Sequence, residues 1–376
     1  MHHFALSSRR HLLAALATLS IAALSATAAH AQADLPRMPD GKPDLSGTYD
    51  VATLTPTERP AALGEQLALD DEEAARIARQ AEARFELFAR ASDPDREAPP
   101  AGGNVGGYNF HYLDPGSAAI RLDGKWRTSI LTDPPDGRYP PMTERGAAMR
   151  QERLDLWGRN ADNLQDRSDA WWLEREGTGP FDGPEIRPLG ERCMLGFGSP
   201  AGPPVLPVVY NNLKRVIQTR DRLVILAEMV HDARIVRIGG EHEPPDAPRR
   251  WLGDSVGRWE GDTLVVETRN FKPGLSPLSA PGLRQNYVTS GELRVIERFS
   301  RIDADTLRYE FTVHDPVVWT APWSGEYPWP ATEDGVYEYA CHEGNYAMGN
   351  ILRGARLAER ATRAGQVSST GARGDD

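Results

Sequence analysis

The amino-acid sequence predicts a mainly β fold in which an antiparallel meander closes into a barrel, with helical and loop additions at its N-terminal end. Two observations support this prediction. From residue 199 onward, apolar and polar residues alternate in short runs, and turn residues separate these runs with no helical segment between them. A meander with this many strands must protect its edges, and closure into a barrel does so. A β-sandwich is the alternative.

Residues 1–31 have the pattern of a secretory signal. Arg9 and Arg10 precede an apolar run from Leu12 to Ala28, and Ala29-His30-Ala31 supplies the small-x-small sequence of a signal-peptidase site. We therefore expect a periplasmic or secreted protein with no stable membrane span after cleavage. The paired arginines also fit a twin-arginine signal, so the general and twin-arginine export routes both stay open.

The composition limits the classes of partner. The chain carries a formal net charge of −11 at pH 7, and removal of Arg9 and Arg10 with the signal makes the mature part more acidic. Such a surface repels nucleic acids and anionic membranes, so we expect neither as a partner. The sequence contains no Gly-rich phosphate loop and no Rossmann fingerprint, so it indicates no nucleotide cofactor. A small molecule is the expected partner, and the identity of any cofactor stays unknown.

Cys193 and Cys341 are the two cysteines of the chain. In an oxidising compartment, a pair this far apart in sequence most often forms a structural disulfide, and no C-x-x-C spacing supports a redox or metal site. Closing such a long loop would stabilise the fold by roughly 4–5 kcal/mol in the chain-entropy model.

Residues 32–198 are predicted to supply one strand of the sheet together with the helical and loop additions. Gly47 to Val51 favours a short strand. Leu69 to Ala91 is rich in Glu and Ala, its apolar residues recur near helical spacing, and Asp70 and Asp71 can cap its start, so a helix is expected there. A second helix is expected over Thr143 to Leu156.

Residues 199–356 are predicted to form the meander. Glu260-Gly261-Asp262 separates two alternating runs and is typical of a tight hairpin turn, because Gly adopts positive φ and Asp bonds locally. The predicted strands are 213–219, 222–229, 234–238, 257–259, 263–268, 293–301, 306–313 and 336–340. Residues 357–376 are expected to form a disordered tail.

Four motifs are spread along the mature chain. Trp251 to Val266 reads WLGDSVGRWEGDTLVV, and Tyr337 to Tyr346 reads YEYACHEGNY. Together with Pro43 to Gly47 and Asp133 to Arg138, these segments resemble an uncharacterised family of exported bacterial proteins. The opening strand is also similar to that of lipocalin-like barrels, although Tyr49 stands where a Gly-x-Trp opening is expected. The resemblance implies a lipocalin-like barrel and no particular reaction.

Histidines and carboxylates at strand ends are the candidates for acid/base catalysis. His231 and His342 each precede an acid, and Glu228 lies in the same run as His231. Neighbouring residues on a strand point to opposite faces, so a site requires side chains from different strands to converge. Asp254 is the fourth candidate. It lies in Gly253-Asp254-Ser255-Val256-Gly257, which has the letters of a nucleophile elbow but is not followed by the required helix.

The alternative site is a metal centre. His111, His231 and His342 are the candidate ligands, since imidazole is a common metal ligand. No H-E-x-x-H or comparable spacing supports this hypothesis, so no metal ligand is assigned. Hydrogen-bonded histidines at strand ends, without a ligand role, are the structural alternative.

Aromatic residues outside the strands are the candidates for ligand binding. Flat aromatic side chains bind apolar or aromatic molecules, but they also fill the end of a barrel. The candidate ligand-binding residues are Tyr108, His111, Trp251, Trp319 and Tyr346.

Three functional hypotheses follow. The leading one is an exported β-barrel that binds a small apolar or aromatic molecule, with acid/base catalysis at the barrel mouth as an added activity. A metal-dependent hydrolase or lyase of the cell envelope is the alternative. A non-catalytic structural envelope protein is the second alternative. The sequence does not decide whether the protein is an enzyme.

Overall fold

A computed structural model describes residues 35–90, 95, 97, 113–156, 170–275 and 288–364. The fold is mainly β, as predicted, and its principal element is a ten-stranded sheet curled into a half-barrel. The strands are β1 (Gly47–Asp50), β2 (Ala68–Leu69), β3 (Arg121–Leu122), β4 (Lys125–Arg127), β5 (Leu131–Asp133), β6 (Leu213–Gln218), β7 (Arg222–Ala227), β8 (Ala233–Ile238), β9 (Asp254–Glu260), β10 (Thr263–Arg269), β11 (Gly274–Leu275), β12 (Val288–Thr289), β13 (Arg294–Arg301), β14 (Thr306–His314) and β15 (Trp323–Pro330).

Within the described ranges, three α-helices accompany the sheet. They are α1 (Asp71–Ala89), α2 (Glu144–Leu156) and α3 (Tyr346–Arg363), and short 3₁₀ turns cover Ala61–Leu63, Trp171–Glu174, Pro184–Ile186 and Met229–His231. The first helix begins with the predicted cap, because the Glu73 N–H donates to Oδ1 of Asp70 at 2.7 Å. None of the described helices is long and apolar enough to cross a bilayer.

The sheet has the strand order β1-β6-β7-β8-β9-β10-β13-β14-β15-β5. Its predicted hairpins are present, including the β9–β10 hairpin, in which Gly261 has a φ of +62°. One neighbouring pair differs from the prediction, because β8 and β9 run parallel, with Val236 opposite Ser255. The connection from 239 to 253 returns the chain to the starting end of β8, so the sheet is mixed and is not a purely antiparallel meander.

The predicted barrel closure does not follow from this sheet. One isolated bridge joins Tyr49 of β1 to Ala331, the residue that follows β15. Beside it the Thr332 N–H donates to the Thr48 carbonyl at 2.9 Å. The first half of β15 is occupied by β5, which pairs Leu131 with Gly325. Among the described residues no continuous ladder joins β1 to β15, so a half-barrel is the supported description.

Two boundary predictions were wrong. Residues 336–340 form no strand, and the chain there runs largely exposed toward Cys341. The predicted tail at 357 begins inside α3, which Asn345 caps by accepting the Met348 N–H at 3.2 Å. Residues 365–376 and the predicted signal at 1–31 lie outside the described part of the chain.

The core-facing side of the sheet packs against a buried segment of the chain that runs from Ser199 to Leu206. The Val205 N–H donates to the Tyr309 hydroxyl at 2.8 Å, and the Tyr327 hydroxyl donates to the Val205 carbonyl at 2.9 Å. Both tyrosines are fully buried. We call 199–206 the interior segment, because it fills the space that a ligand would need at this level of the half-barrel.

A buried ion pair lies beside the interior segment. Arg234 donates to the two carboxylate oxygens of Glu297 at 2.5 and 2.8 Å, and Tyr309 donates to the same carboxylate at 2.7 Å. Three donors therefore satisfy this carboxylate, which is the condition under which a charge is tolerated in a protein core.

Candidate functional site

The predicted disulfide between Cys193 and Cys341 is present, with a Cα–Cα distance of 5.7 Å. It joins the segment that precedes β6 to the segment that follows β15. The Asn345 side chain reinforces this junction, because its Nδ2 donates to the Glu191 carbonyl at 2.8 Å. The disulfide thereby joins two stretches of chain that both line one cleft.

This cleft, which we call the C-terminal cleft, has a volume of about 1100 Å³. It lies between the ends of β1, β6 and β7 and the chain from 334 to 351. Its aromatic and apolar lining includes Phe197, Tyr210, Tyr337, Tyr339, Met348 and Ile351. Its acidic lining consists of Asp50, Asp114, Glu191, Glu228, Asp334 and Glu338.

Sheet register places two of the carboxylates in one row, on either side of Leu213. Asp50 pairs with Leu213, and the Glu228 N–H donates to the Leu213 carbonyl at 3.0 Å. The three residues therefore form a row across β1, β6 and the end of β7, and residues in one row share a face of the sheet. Glu228 is only 5% exposed, although it lines the cleft.

The protein leaves this acidic lining largely uncompensated. Asp50, Asp114, Glu228 and Asp334 form no ion pair with any described residue, and the cleft lining includes no described Lys, Arg or His. Burial raises the pKa of Asp114, and the nearby carboxylates Asp50, Glu228 and Asp334 raise it further. Glu191 differs, because Arg187 pairs with it at 2.7 Å.

Two basic side chains adjoin the row, and neither forms an ion pair with its carboxylates. Lys214 follows Leu213 in β6, so it points to the opposite, core-facing side, where its Nζ donates to the carbonyls of Asn212 at 3.0 Å and Leu213 at 3.3 Å. Arg215 donates to the Thr48 hydroxyl at 2.6 Å. Burial lowers the pKa of Lys214 to about 7, although Glu228 and Asp50 oppose this shift.

Of the four predicted catalytic residues, Glu228 alone lines the C-terminal cleft. His231 is exposed in the turn after β7, where Val230 and His231 have φ values of +60° and +45°. His342 is also exposed, and its carbonyl accepts the Asn345 N–H at 3.2 Å. Neither histidine lines the cleft, so the convergence on which the catalytic hypothesis depends is not seen there.

Asp254 is buried at the start of β9, away from the cleft. Arg237 donates to its two oxygens at 2.7 and 3.1 Å. The Glu243 N–H donates to Oδ2 of Asp254 at 3.0 Å, and His242 Nδ1 lies 3.0 Å from the same oxygen. Burial opposes ionisation, but these bonds outweigh it and hold the pKa of Asp254 at about 2. The carboxylate therefore anchors the 239–253 connection to the sheet.

The predicted ligand-binding residues are dispersed. Trp319 is buried and stacks on Tyr139 at a centroid distance of 5.5 Å, so it belongs to the core. The ring of Trp251 lies 4.6 Å from the ammonium of Lys272. Tyr346 is 79% exposed at the start of α3. Tyr108 and His111 lie outside the described residues.

The predicted metal site receives no support from the described residues. In that part of the chain no three His, Cys, Asp or Glu side chains are grouped so that they could hold a metal ion. One of the three candidate ligands, His111, lies outside it. The metal hypothesis therefore keeps only its sequence argument.

A second cleft, of about 830 Å³, lies beside α1 and shares Asp50 and Asp114 with the first. Its lining includes Arg79 and Arg121 as well as acids. Its charges are therefore mixed, unlike those of the C-terminal cleft, which makes it the weaker candidate for a charge-selective site.

Asp50, Asp114 and Asp334 were missed as site residues, and the buried Lys214 beside them was missed as well. A signal for Lys214 exists in the sequence, because strand alternation places it in phase with the buried Val216.

Comparison of the chain with models of known protein families, with curated proteins and with solved structures finds no match. The case for function therefore depends on the geometry of the cleft.

Proposed function

We propose that this chain is an exported protein that binds a small molecule in the C-terminal cleft. The observation that carries the proposal is Glu228, a carboxylate that is nine-tenths buried, lines the cleft and forms no ion pair with a described residue, although Lys214 is near enough for the two charges to interact. Such a group is costly unless something pairs with it. A cleft with a mainly apolar and aromatic wall and a few converging polar groups is also the usual form of a ligand site.

The ligand position differs from that expected for a lipocalin-like barrel. The interior segment occupies the core-facing side of the sheet, so the proposed site lies outside the half-barrel. Membership of the exported bacterial family that the four motifs resemble, and a distant relationship to lipocalin-like barrels, are part of the proposal. They draw support from the curled sheet alone.

Export is the second part of the proposal. It is supported by the signal pattern of residues 1–31 and by the disulfide, because disulfides form and persist in oxidising compartments. We assign the mature protein to the periplasm or the extracellular medium. Cell fractionation with the native signal should recover it there, and recovery in the cytoplasm would contradict this assignment.

The cleft can be tested by filling it. Ala347 is an exposed residue of α3 that lines the cleft, so Ala347→Trp should block ligand entry without disturbing the core. Native mass spectrometry of protein purified from the exporting host should detect a bound small molecule in the wild type and its loss in this variant. Arg353→Trp, on the same helix but outside the lining, is the control and should retain the ligand. Undiminished binding in Ala347→Trp would place the site elsewhere.

Acid/base catalysis in the cleft is a second candidate function. It is favoured by the unequal environments of two lining carboxylates, since Asp114 has a raised pKa and Glu228 is buried without an ion pair. Pairs of carboxyl groups in different environments can serve as acid and base. Once a ligand is identified, Glu228→Gln and Asp114→Asn should each abolish turnover while leaving a stable fold, and turnover that survives both changes would exclude this role.

A further inference from the structure

We infer that the ligand of the C-terminal cleft is an organic cation, with an ammonium group on an apolar or aromatic body. This inference rests on the proposed function, and it names the chemical class of ligand for that same site. It depends on three features of the cleft: the charge of its lining, the state of the buried Glu228 carboxylate and the character of its wall.

The charge of the lining comes first. Asp50, Asp114, Glu228 and Asp334 carry no ion pair within the described chain, and the bonds they accept come from turns or from backbone. Asp50 accepts the Ala52 N–H at 2.9 Å, Asp114 accepts the Gly116 N–H at 3.3 Å and Asp334 accepts the Thr332 hydroxyl at 3.0 Å. These local bonds shape each loop without neutralising the group, so the cleft presents a negative potential to a ligand.

The bonding of the buried Glu228 carboxylate is the second feature. One of its oxygens accepts a long bond of 3.4 Å from the Tyr337 N–H, and the other has no hydrogen-bond partner among the described residues. Two cations lie nearby without an ion pair to Glu228, since Lys214 donates to carbonyls on the core-facing side and Arg215 donates to the Thr48 hydroxyl. Lys214 is near enough for the charge of Glu228 to oppose the lowering of its pKa. A ligand that donates a charged N–H would supply the missing partner.

The wall and the size of the cleft separate an organic cation from a metal ion. The space of about 1100 Å³ is that of a molecule, and no three acids of the described chain are grouped closely enough to coordinate a metal. Tyrosine rings line the same space at 210, 337 and 339. Aromatic rings attract ammonium groups through their quadrupole, so carboxylates and rings together favour a cation that also has an apolar body.

The test uses two probes that differ in charge and little else. The mature full-length protein would be titrated by calorimetry at pH 7 with 4-phenylbutylamine and with 4-phenyl-1-butanol. We expect the amine to bind about tenfold more tightly than the alcohol, with an affinity that falls as salt is added. Glu228→Gln should remove about tenfold of the amine affinity and leave the alcohol unchanged.

Matched variants separate the cleft from general charge effects. Asp334 is an exposed residue of the cleft lining, so Asp334→Asn should also weaken amine binding. This variant tests the inference even if Glu228→Gln fails to fold. Glu333→Gln removes the same charge one residue away from it, outside the cleft lining, and should change nothing.

The outcomes distinguish the two proposals. Equal binding of amine and alcohol, both lost in Ala347→Trp, would overturn the cation inference and leave the cleft as a ligand site. Amine binding that Glu333→Gln weakens as much as Asp334→Asn would overturn it too. Saturable binding of Ca²⁺ in place of the amine would overturn it in favour of a metal. If neither probe binds, the cation inference is also overturned. The proposed function would fail in that case only if Ala347→Trp displaced no copurified ligand.

Discussion

Two buried glutamates show how differently this protein treats negative charge in two regions. Glu297 lies beside the interior segment, where Arg234 binds both of its oxygens and Tyr309 adds a third donor. Glu228 is nearly as deeply buried in the C-terminal cleft, yet it receives one long backbone bond. The same functional group therefore accepts three donors in the core and one long bond in the cleft.

The contrast teaches where to look for function. Unpaired buried charge lowers stability, so a fold retains it only where something other than stability requires it. Lys214, which lies next to the row of Asp50 and Glu228, does not form an ion pair with either carboxylate. Its Nζ donates instead to the backbone carbonyls of Asn212 and Leu213. The core satisfies its buried charge, whereas the cleft leaves part of its charge without an ion pair among the described residues.

The largest expected effect comes from the disulfide that holds the cleft. Changing both Cys193 and Cys341 to Ser should lower the free energy of unfolding by roughly 4–5 kcal/mol, because the bridge closes a sequence separation of 148 residues. Urea denaturation measures this loss. The near-ultraviolet spectrum of the core aromatics should survive in the folded variant, while ligand binding weakens. A loss below 1 kcal/mol would show that the two walls hold together without the bridge.

Breaking the core ion pair should cost nearly as much. Arg234→Met leaves Glu297 buried without its cation and should lower the free energy of unfolding by roughly 3–5 kcal/mol, again measured in urea. The double change Arg234→Met with Glu297→Leu should recover much of that loss, since no orphaned charge remains. Arg298→Met removes an exposed partner of Glu260 and should cost less than about 1 kcal/mol. Equal costs for the two arginines would remove the contrast between core and surface.

The buried lysine should make stability depend on pH. Its folded-state pKa of about 7 lies below the ordinary value of 10.5. Between these values the unfolded chain keeps the proton that the folded chain has released, so stability rises as the pH increases from about 7 toward 10. Lys214→Met removes this term, and its effect relative to wild type should be more favourable at pH 6 than at pH 9.5 by roughly 3 kcal/mol. The exposed Lys125→Met is the control, and an equal pH dependence there would refute the assignment.

The smallest expected effect comes from the rim of the cleft. A raised pKa means that folded Asp114 holds its proton more tightly than the unfolded chain does, so its contribution to stability is lost as the pH rises through the folded pKa. Asp114→Asn should therefore raise the melting temperature slightly at pH 7 and should show no such gain at pH 3. Asp246→Asn, in an exposed loop, is the comparison. A gain of the same size at both pH values would mean that the ionisation of the partly desolvated Asp114 is not its cause.

The features predicted correctly from the sequence are those that depend on residues close together in the chain or on composition. The Glu260-Gly261-Asp262 hairpin and the cap of α1 at Asp70 depend on turn and helix chemistry between near neighbours, and both are present. The disulfide followed from the export signal and from cysteine count. In each case the information lies within a few residues or in the composition.

The missed features depend on distant pairing. The parallel contact of β8 with β9 is set by the path of the 239–253 connection, which alternation in either strand does not encode. The row of Asp50 and Glu228 exists only once β1, β6 and β7 are in register. A partial signal was present, since Arg234 alternates in phase with Val236, as Glu297 does with Val295 and Phe299. Charged residues in the buried phase mark sites that need partners.

The position of the disulfide has one consequence for the integrity of the molecule. Every strand from β6 to β15 lies between Cys193 and Cys341. A protease that cuts the chain once between these residues therefore produces two peptides that remain one covalent molecule, which separates on a gel only after reduction. The oxidised protein can be nicked in a surface turn while both walls of its cleft stay attached.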